Sequence, residues 1–195
     1  MTGTGGGAAA EQVRARYDER AAGLQEVLDA TGPGGWDAPS PCAGWTGRDV
    51  VAHLVDSQRG LLGARGLDLG DRPDLADPAA AWRTHAAAVR AALAEPGVVE
   101  REYEGFGGAR TTIGESVDRF LGFDMVAHRW DVAAADGRAH VFTEADLAVI
   151  EELVAAMSPH LYANGVSAPP LEVGPDADRQ TRALASIGRR ATVDG

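Results

Sequence analysis

The sequence predicts an all-α protein, on three observations. Apolar residues recur at three- and four-residue intervals through most of the chain, the period of an amphipathic helix. Alanine, the strongest helix former, fills the periodic segments. Helix-start signals open several of those segments, among them Thr46, Asp77-Pro78, Thr112 and Thr143. An extended piece is expected only near Val98–Tyr103. A chain of 195 residues with 45% apolar content makes one domain with a real core. With only 6% aromatic residues, that core is built from Ala, Val and Leu.

In chain order, residues 1–7 are glycine-rich and read as disordered, leaving 8–195 as a single domain. From Ala8 to Ala30 the positions Val13, Tyr17, Ala21, Leu24, Val27 and Leu28 make a first helix. TGPGGWDAPSPCA (31–43) is a Gly/Pro-dense loop. Thr46 caps a second helix from Gly47 to about Leu62, with Val50, Val51, Leu54, Val55 and Leu61 on its apolar side and His53 beside them. Asp77-Pro78 starts a third helix that runs to about Leu93. Pro96-Gly97 ends it, and 98–111 forms a loop or short hairpin arm with Gly107-Gly108 at its tip. That glycine pair lacks the strand–loop–helix setting of a phosphate loop.

A long fourth helix spans Thr112 to Gly137. Thr112 and Glu115 make a capping box, and Gly137 is a natural stop. Val117, Leu121, Asp124, His128 and Val132 fall on one face at helical spacing. A carboxylate and an imidazole therefore lie one turn apart within an apolar stripe, where a charge is costly unless paired or metal-bound. Thr143 caps a fifth helix from Glu144 to about Met157, with acidic residues in its first turn. Residues 158–176 read as irregular, and 177–187 as a short last helix packing back on the bundle.

The formal charge is −11, which disfavours nucleic acid and anionic membranes as partners. No apolar run approaches the 18 residues of a membrane span. The amino terminus, MTGTGGGAAAEQ, lacks a basic region and a long apolar core, so no secretory signal is expected. The single cysteine, Cys42, excludes an internal disulfide, and the expectation is a soluble cytoplasmic protein. All 18 basic residues are arginine, the codon bias of a G+C-rich genome.

The segments PCAGWTGRDVVAHLV (41–55) and DMVAHRWDVAAADGR (124–138) resemble the two signature segments of the DinB-like four-helix superfamily. More narrowly they resemble the branch related to the metal-binding domain of mycothiol-dependent maleylpyruvate isomerase. The closing DADRQTRALASIGRR (176–190) is similar to the carboxyl end of small actinobacterial members. The resemblance implies an up-down-down-up four-helix bundle with a short carboxyl-terminal tail helix and one divalent metal, usually zinc, with nickel or iron as other candidates. Matched motif to motif, its ligands fall on His53, Asp124 and His128. The isomerase carries Glu where this chain has the shorter Asp124, and it has a further domain for which this chain is too short, so its substrate does not carry over.

Two histidines and a carboxylate leave a coordination position open, as catalytic zinc does. The resemblance implies that this position takes a low-molecular-weight thiol, mycothiol in actinobacteria, as a thiolate that attacks a small electrophilic substrate in isomerisation or S-transfer. Two other readings stand beside it: hydrolysis through a metal-bound water, and a metal-binding protein without turnover. Asp131 is a candidate to orient a ligand histidine, with bonding to a nearby loop as the plain alternative. Trp45 and Trp130 read as packing near the site, and Cys42 as a small side chain at the entrance to the second helix. Arg59, Trp82, Arg83, His85 and Arg129 are candidates to line a cavity, and His140 and His160 read as surface residues. Related bundles often dimerise, so a homodimer is a further expectation.

Overall fold

A computed structural model describes residues 4–158, 160–163 and 167–191. Its elements are α1 (Thr4–Asp29), α2 (Gly47–Gly63), α3 (Pro78–Ala94), the hairpin β1 (Glu102–Glu104) and β2 (Arg110–Thr112), α4 (Ile113–Ser116), α5 (Gly122–Ala135), α6 (Glu144–Met157), α7 (His160–Ala163) and α8 (Arg179–Ser186). Helix α1 begins within the glycine-rich stretch expected to be disordered. Residues 1–3 of that stretch lie outside the described residues.

The capping signals are realised. Thr46 with Asp49, Thr112 with Glu115 and Thr143 with Asp146 each form a reciprocal capping box, and Asp77 caps α3 ahead of Pro78. Each box satisfies two backbone donors that a helix start would leave unpaired. The hairpin pairs Glu102 with Thr112 and Glu104 with Arg110, so its second strand runs straight into α4.

Helix α1 packs against α3 and α5, and α2 packs against the same two. The four form a bundle around one core that includes Tyr17, Leu24, Leu28, Val50, Leu54, Trp82, Val89, Leu121 and Val132. Gly47, in the first turn of α2, sits against the Gly35 carbonyl, where a β-carbon has no room. That close approach sets the depth at which α2 enters the bundle.

The long helix over 113–135 departs from expectation in two ways. Between α4 and α5 the backbone forms a π-helical segment, Val117–Leu121. A π segment accommodates one extra residue and shifts the helical phase of the residues after it. It ends before Asp124, so Asp124 and His128 keep their one-turn spacing within regular α-helix. The second departure is burial. Of the 14 residues of α5, all but Asp124 and Ala134 are buried. The expected single apolar face is only half the helix. Its other side, with Phe123, Val126, Ala127 and Trp130, packs into a second core with Phe142, Leu147, Ile150, Leu153, Leu161, Leu184 and Ile187. Thus α6, α7 and α8 form a lobe that shares α5 with the bundle. A helix apolar on all sides belongs inside a protein.

Candidate metal centre

The centre is assembled from α2, α5, the 31–46 loop and the segment after α8. Helix α2 presents His53 and α5 presents Asp124 and His128. One ligand atom from each of these three side chains lies within 4.8 Å of the other two. His53 Nε2 is 3.6 Å from Asp124 Oδ2, and the two imidazoles meet edge to face with centroids 5.1 Å apart. The trio that the sequence singled out is brought together.

Exposure grades across the site. The His53 and Asp124 side chains are 35% and 23% exposed, whereas His128 is 7% exposed. The centre is anchored on the core at His128 and open to solvent at His53. Trp45 forms a wall, its ring 4.9 Å from His53 and 6.3 Å from His128 between centroids. A tight turn places it there: Trp45 N donates to Cys42 O, Ser40 N donates to Trp45 O, and Gly44 between them has φ +80°.

Behind His128 lies Asp131, fully buried. His128 Nδ1 donates to Asp131 Oδ2 at 2.8 Å. The same carboxylate receives a fork from Arg189, Nη2 to Oδ2 at 2.9 Å and Nε to Oδ1 at 3.2 Å. Cys42 Sγ donates to Oδ2 at 3.3 Å. Burial alone pushes the carboxyl pKa up, but the His128 hydrogen bond and the Arg189 charge outweigh it and hold Asp131 well below the ordinary carboxylate range. Asp131 is therefore the anion of a buried, charge-assisted network. With Nδ1 carrying the proton toward Asp131, the lone pair of His128 is on Nε2, the tautomer a metal ligand needs.

Cys42, His128 and Asp131 also approach within 4.8 Å of one another. They read as a hydrogen-bond cluster and not a second cation site. Arg189 already supplies the positive charge there, and without a metal, burial first, then the Asp131 charge, pushes the Cys42 thiol up to about 12.

The five cavity candidates bond away from the centre, and of them Arg129 lines a cleft between α1 and α6. Arg59 donates to the carbonyls of Leu69, Gly70 and Asp71. Trp82 is fully buried in the bundle core and donates to Ala21 O at 3.3 Å. Arg83 pairs with Asp29 on the surface. His85 is buried against Gln58, and Arg129 is buried in an ion pair with Asp146 at 3.0 Å. Four surface clefts of 360–450 Å³ open around α1, and none of these four includes His53, Asp124 or His128. Trp130 packs in the second core and leaves the wall of the centre to Trp45. His140, read as a surface residue, is half-buried against Phe142.

The residue that sequence reasoning missed is Arg189. It stands 58 positions from its partner Asp131, and no periodicity links residues so far apart. Its one signal was position, within the closing segment 176–190.

Two uncharacterized proteins from two strains of Mycobacterium tuberculosis are each 31% identical to the chain over 124 residues, 60% of this chain and 62% of theirs. The chain thus spans less than two thirds of the length of those relatives. No solved structure matches it. The family model described as the mycothiol maleylpyruvate isomerase N-terminal domain matches residues 17–133. That is more than half of the chain and takes in His53, Asp124, His128 and Asp131; on this match the chain belongs to that family.

Proposed function

We propose that the protein holds a divalent cation, zinc foremost, through His53, Asp124 and His128, and uses it in the chemistry of a low-molecular-weight thiol. The reading rests on one observation: three donors from two helices converge within 4.8 Å, with solvent on one side. The donor set fits such an ion. Two imidazoles and one carboxylate are borderline-hard ligands suited to zinc, nickel or iron, and three protein ligands leave room for an exogenous one. The match to the mycothiol maleylpyruvate isomerase N-terminal domain supports a thiol as that exogenous ligand.

Each side chain has a task in this reading. His128 is the anchored ligand, oriented from behind by Asp131. His53 and Asp124, on the open side, complete the set. Trp45 keeps bulk water off one flank of the two rings and offers an apolar surface to an incoming molecule. A bound cation would lower the pKa of a coordinated thiol and so supply a nucleophile near neutral pH. The substrate is then a small electrophile that reaches the centre from the His53 side, and isomerisation or S-transfer is the reaction class.

Cobalt substitution tests the reading. Purified protein should take up about one cobalt per chain, and adding mycothiol should produce an intense thiolate charge-transfer band. His128→Ala should abolish both. Uptake of metal without the band would turn the proposal toward hydrolysis through water, and no uptake would end it.

A further inference from the structure

An arginine reaches the back of the centre from the far end of the chain. Arg189 lies beyond the residues that match the family model, on the segment leaving α8. Gly188, at φ +74°, turns the chain there, and a β-carbon on it would meet Ala168 Cβ at 2.5 Å and two carbonyl oxygens at 3.1 Å. Arg189 N then donates to Leu184 O at 2.9 Å and its Nη1 to Ile187 O at 2.7 Å. The side chain is thus braced at its base before it extends to Asp131. Only 11% of it is exposed. At its tip it meets both oxygens of Asp131 and, at 3.4 Å, the Cys42 sulfur.

We propose that Arg189 is a positioning residue of the metal centre, fixing the Asp131 carboxylate so that it takes the Nδ1 proton of His128 and leaves Nε2 directed at the cation. This role rests on the metal-binding function proposed for His53, Asp124 and His128. His128 and Cys42 both bond Oδ2, so without Arg189 the Oδ1 end loses its hydrogen bond and χ2, a broad torsion in aspartate, is held more loosely. The guanidinium fork removes that freedom, since it engages the two oxygens at once in one plane. The second lobe gains a role as well. Helices α6 to α8 carry Arg189 to the site, so the centre is completed by residues outside 17–133.

The test uses the full-length chain and four proteins: wild type, Arg189→Met, Arg189→Lys and, as a surface control, Arg190→Met. Imidazole nitrogen NMR of the metal-free proteins reads the His128 tautomer directly, and cobalt titration reads affinity. Wild type and Arg190→Met should show a single Nδ1–H tautomer and the same affinity. Arg189→Met should show mixed tautomers and an affinity lower by about 10- to 100-fold, the range for losing an outer partner of a metal ligand. Arg189→Lys keeps the charge but not the fork and should lie between, at roughly a threefold to tenfold loss. A folded Arg189→Met with the wild-type tautomer and affinity overturns the proposal. Should that variant not fold, Arg189→Lys decides, and identity with wild type in both readouts overturns it. No cobalt uptake by wild type overturns the metal reading and this inference together, whereas uptake with unchanged variants overturns this inference alone.

Discussion

Two buried histidines of this protein invite comparison. His85, on α3, sits in the bundle core with Gln58 and Tyr17: its Nε2 is 3.2 Å from Gln58 Oε1, which also accepts from Tyr17 OH at 3.0 Å. His128, on α5, sits against Asp131, Arg189 and Cys42. Both rings are nearly excluded from solvent. The first has a neutral amide partner and a second nitrogen, Nδ1, buried with no hydrogen bond among the described residues. The second has a charged acceptor, itself charge-balanced, and lies beside two further donors, His53 and Asp124, that are partly open to solvent. Burial alone thus does not suit a histidine to a metal. A polarised back and an open front, with other donors converging on the same point, do.

The largest effect that should separate the two networks is on stability. Asp131→Asn leaves the Arg189 guanidinium without its anion, and breaking one side of a buried ion pair costs about 3–5 kcal/mol. Urea unfolding of the metal-free protein measures it, and a loss below about 1 kcal/mol, the range of an exposed pair, would show that the network is far weaker than its geometry.

Next comes metal affinity. His128→Ala should weaken cobalt binding by more than the roughly 100-fold upper range for outer partners, while His85→Ala should leave it within about twofold, well inside that range, since that ring adjoins no other donor of the trio. Equal losses in the two variants would erase the distinction between the two rings.

A third difference is in pH. Burial, chiefly, and the nearby Arg59 charge push His85 down to about 4, against about 6.5 in an unfolded chain. The folded state therefore disfavours the proton, and the unfolded chain binds more of it as pH falls. Stability from this ring is intact above about 6.5 and is lost progressively down to about 4, by about 3 kcal/mol at roughly 1.36 kcal/mol per unit. His85→Gln should flatten the acid limb of a stability-versus-pH curve by that amount, and an unchanged limb would place the acid sensitivity elsewhere.

The smallest effect is at the open side. Asp124→Glu lengthens the carboxylate by one methylene. On this exposed flank it should change cobalt affinity by less than about tenfold while shifting the visible spectrum, and loss of binding would mean that the helix spacing is tuned to the shorter side chain.

Helix boundaries and the Asp124/His128 pair are legible in the chain because both are local. A capping box reports on three residues, and Asp124 and His128 announce each other one turn apart. His53 is legible only through its motif, since nothing in the chain between it and Asp124 fixes their approach. The π segment Val117–Leu121 leaves no local mark. The second core is hidden for a related reason: the outward side of α5 has no local feature that tells whether a lobe or water covers it.

The sequence by itself determined most of the helices, their capped starts and the Asp124/His128 pair, because propensity, capping and helical period act over a few residues. Only the tertiary structure decided that α5 is covered on both sides and that Arg189 closes the back of the centre. Those outcomes depend on contacts between residues far apart in the chain, which are set by how whole faces pack and leave no period to read.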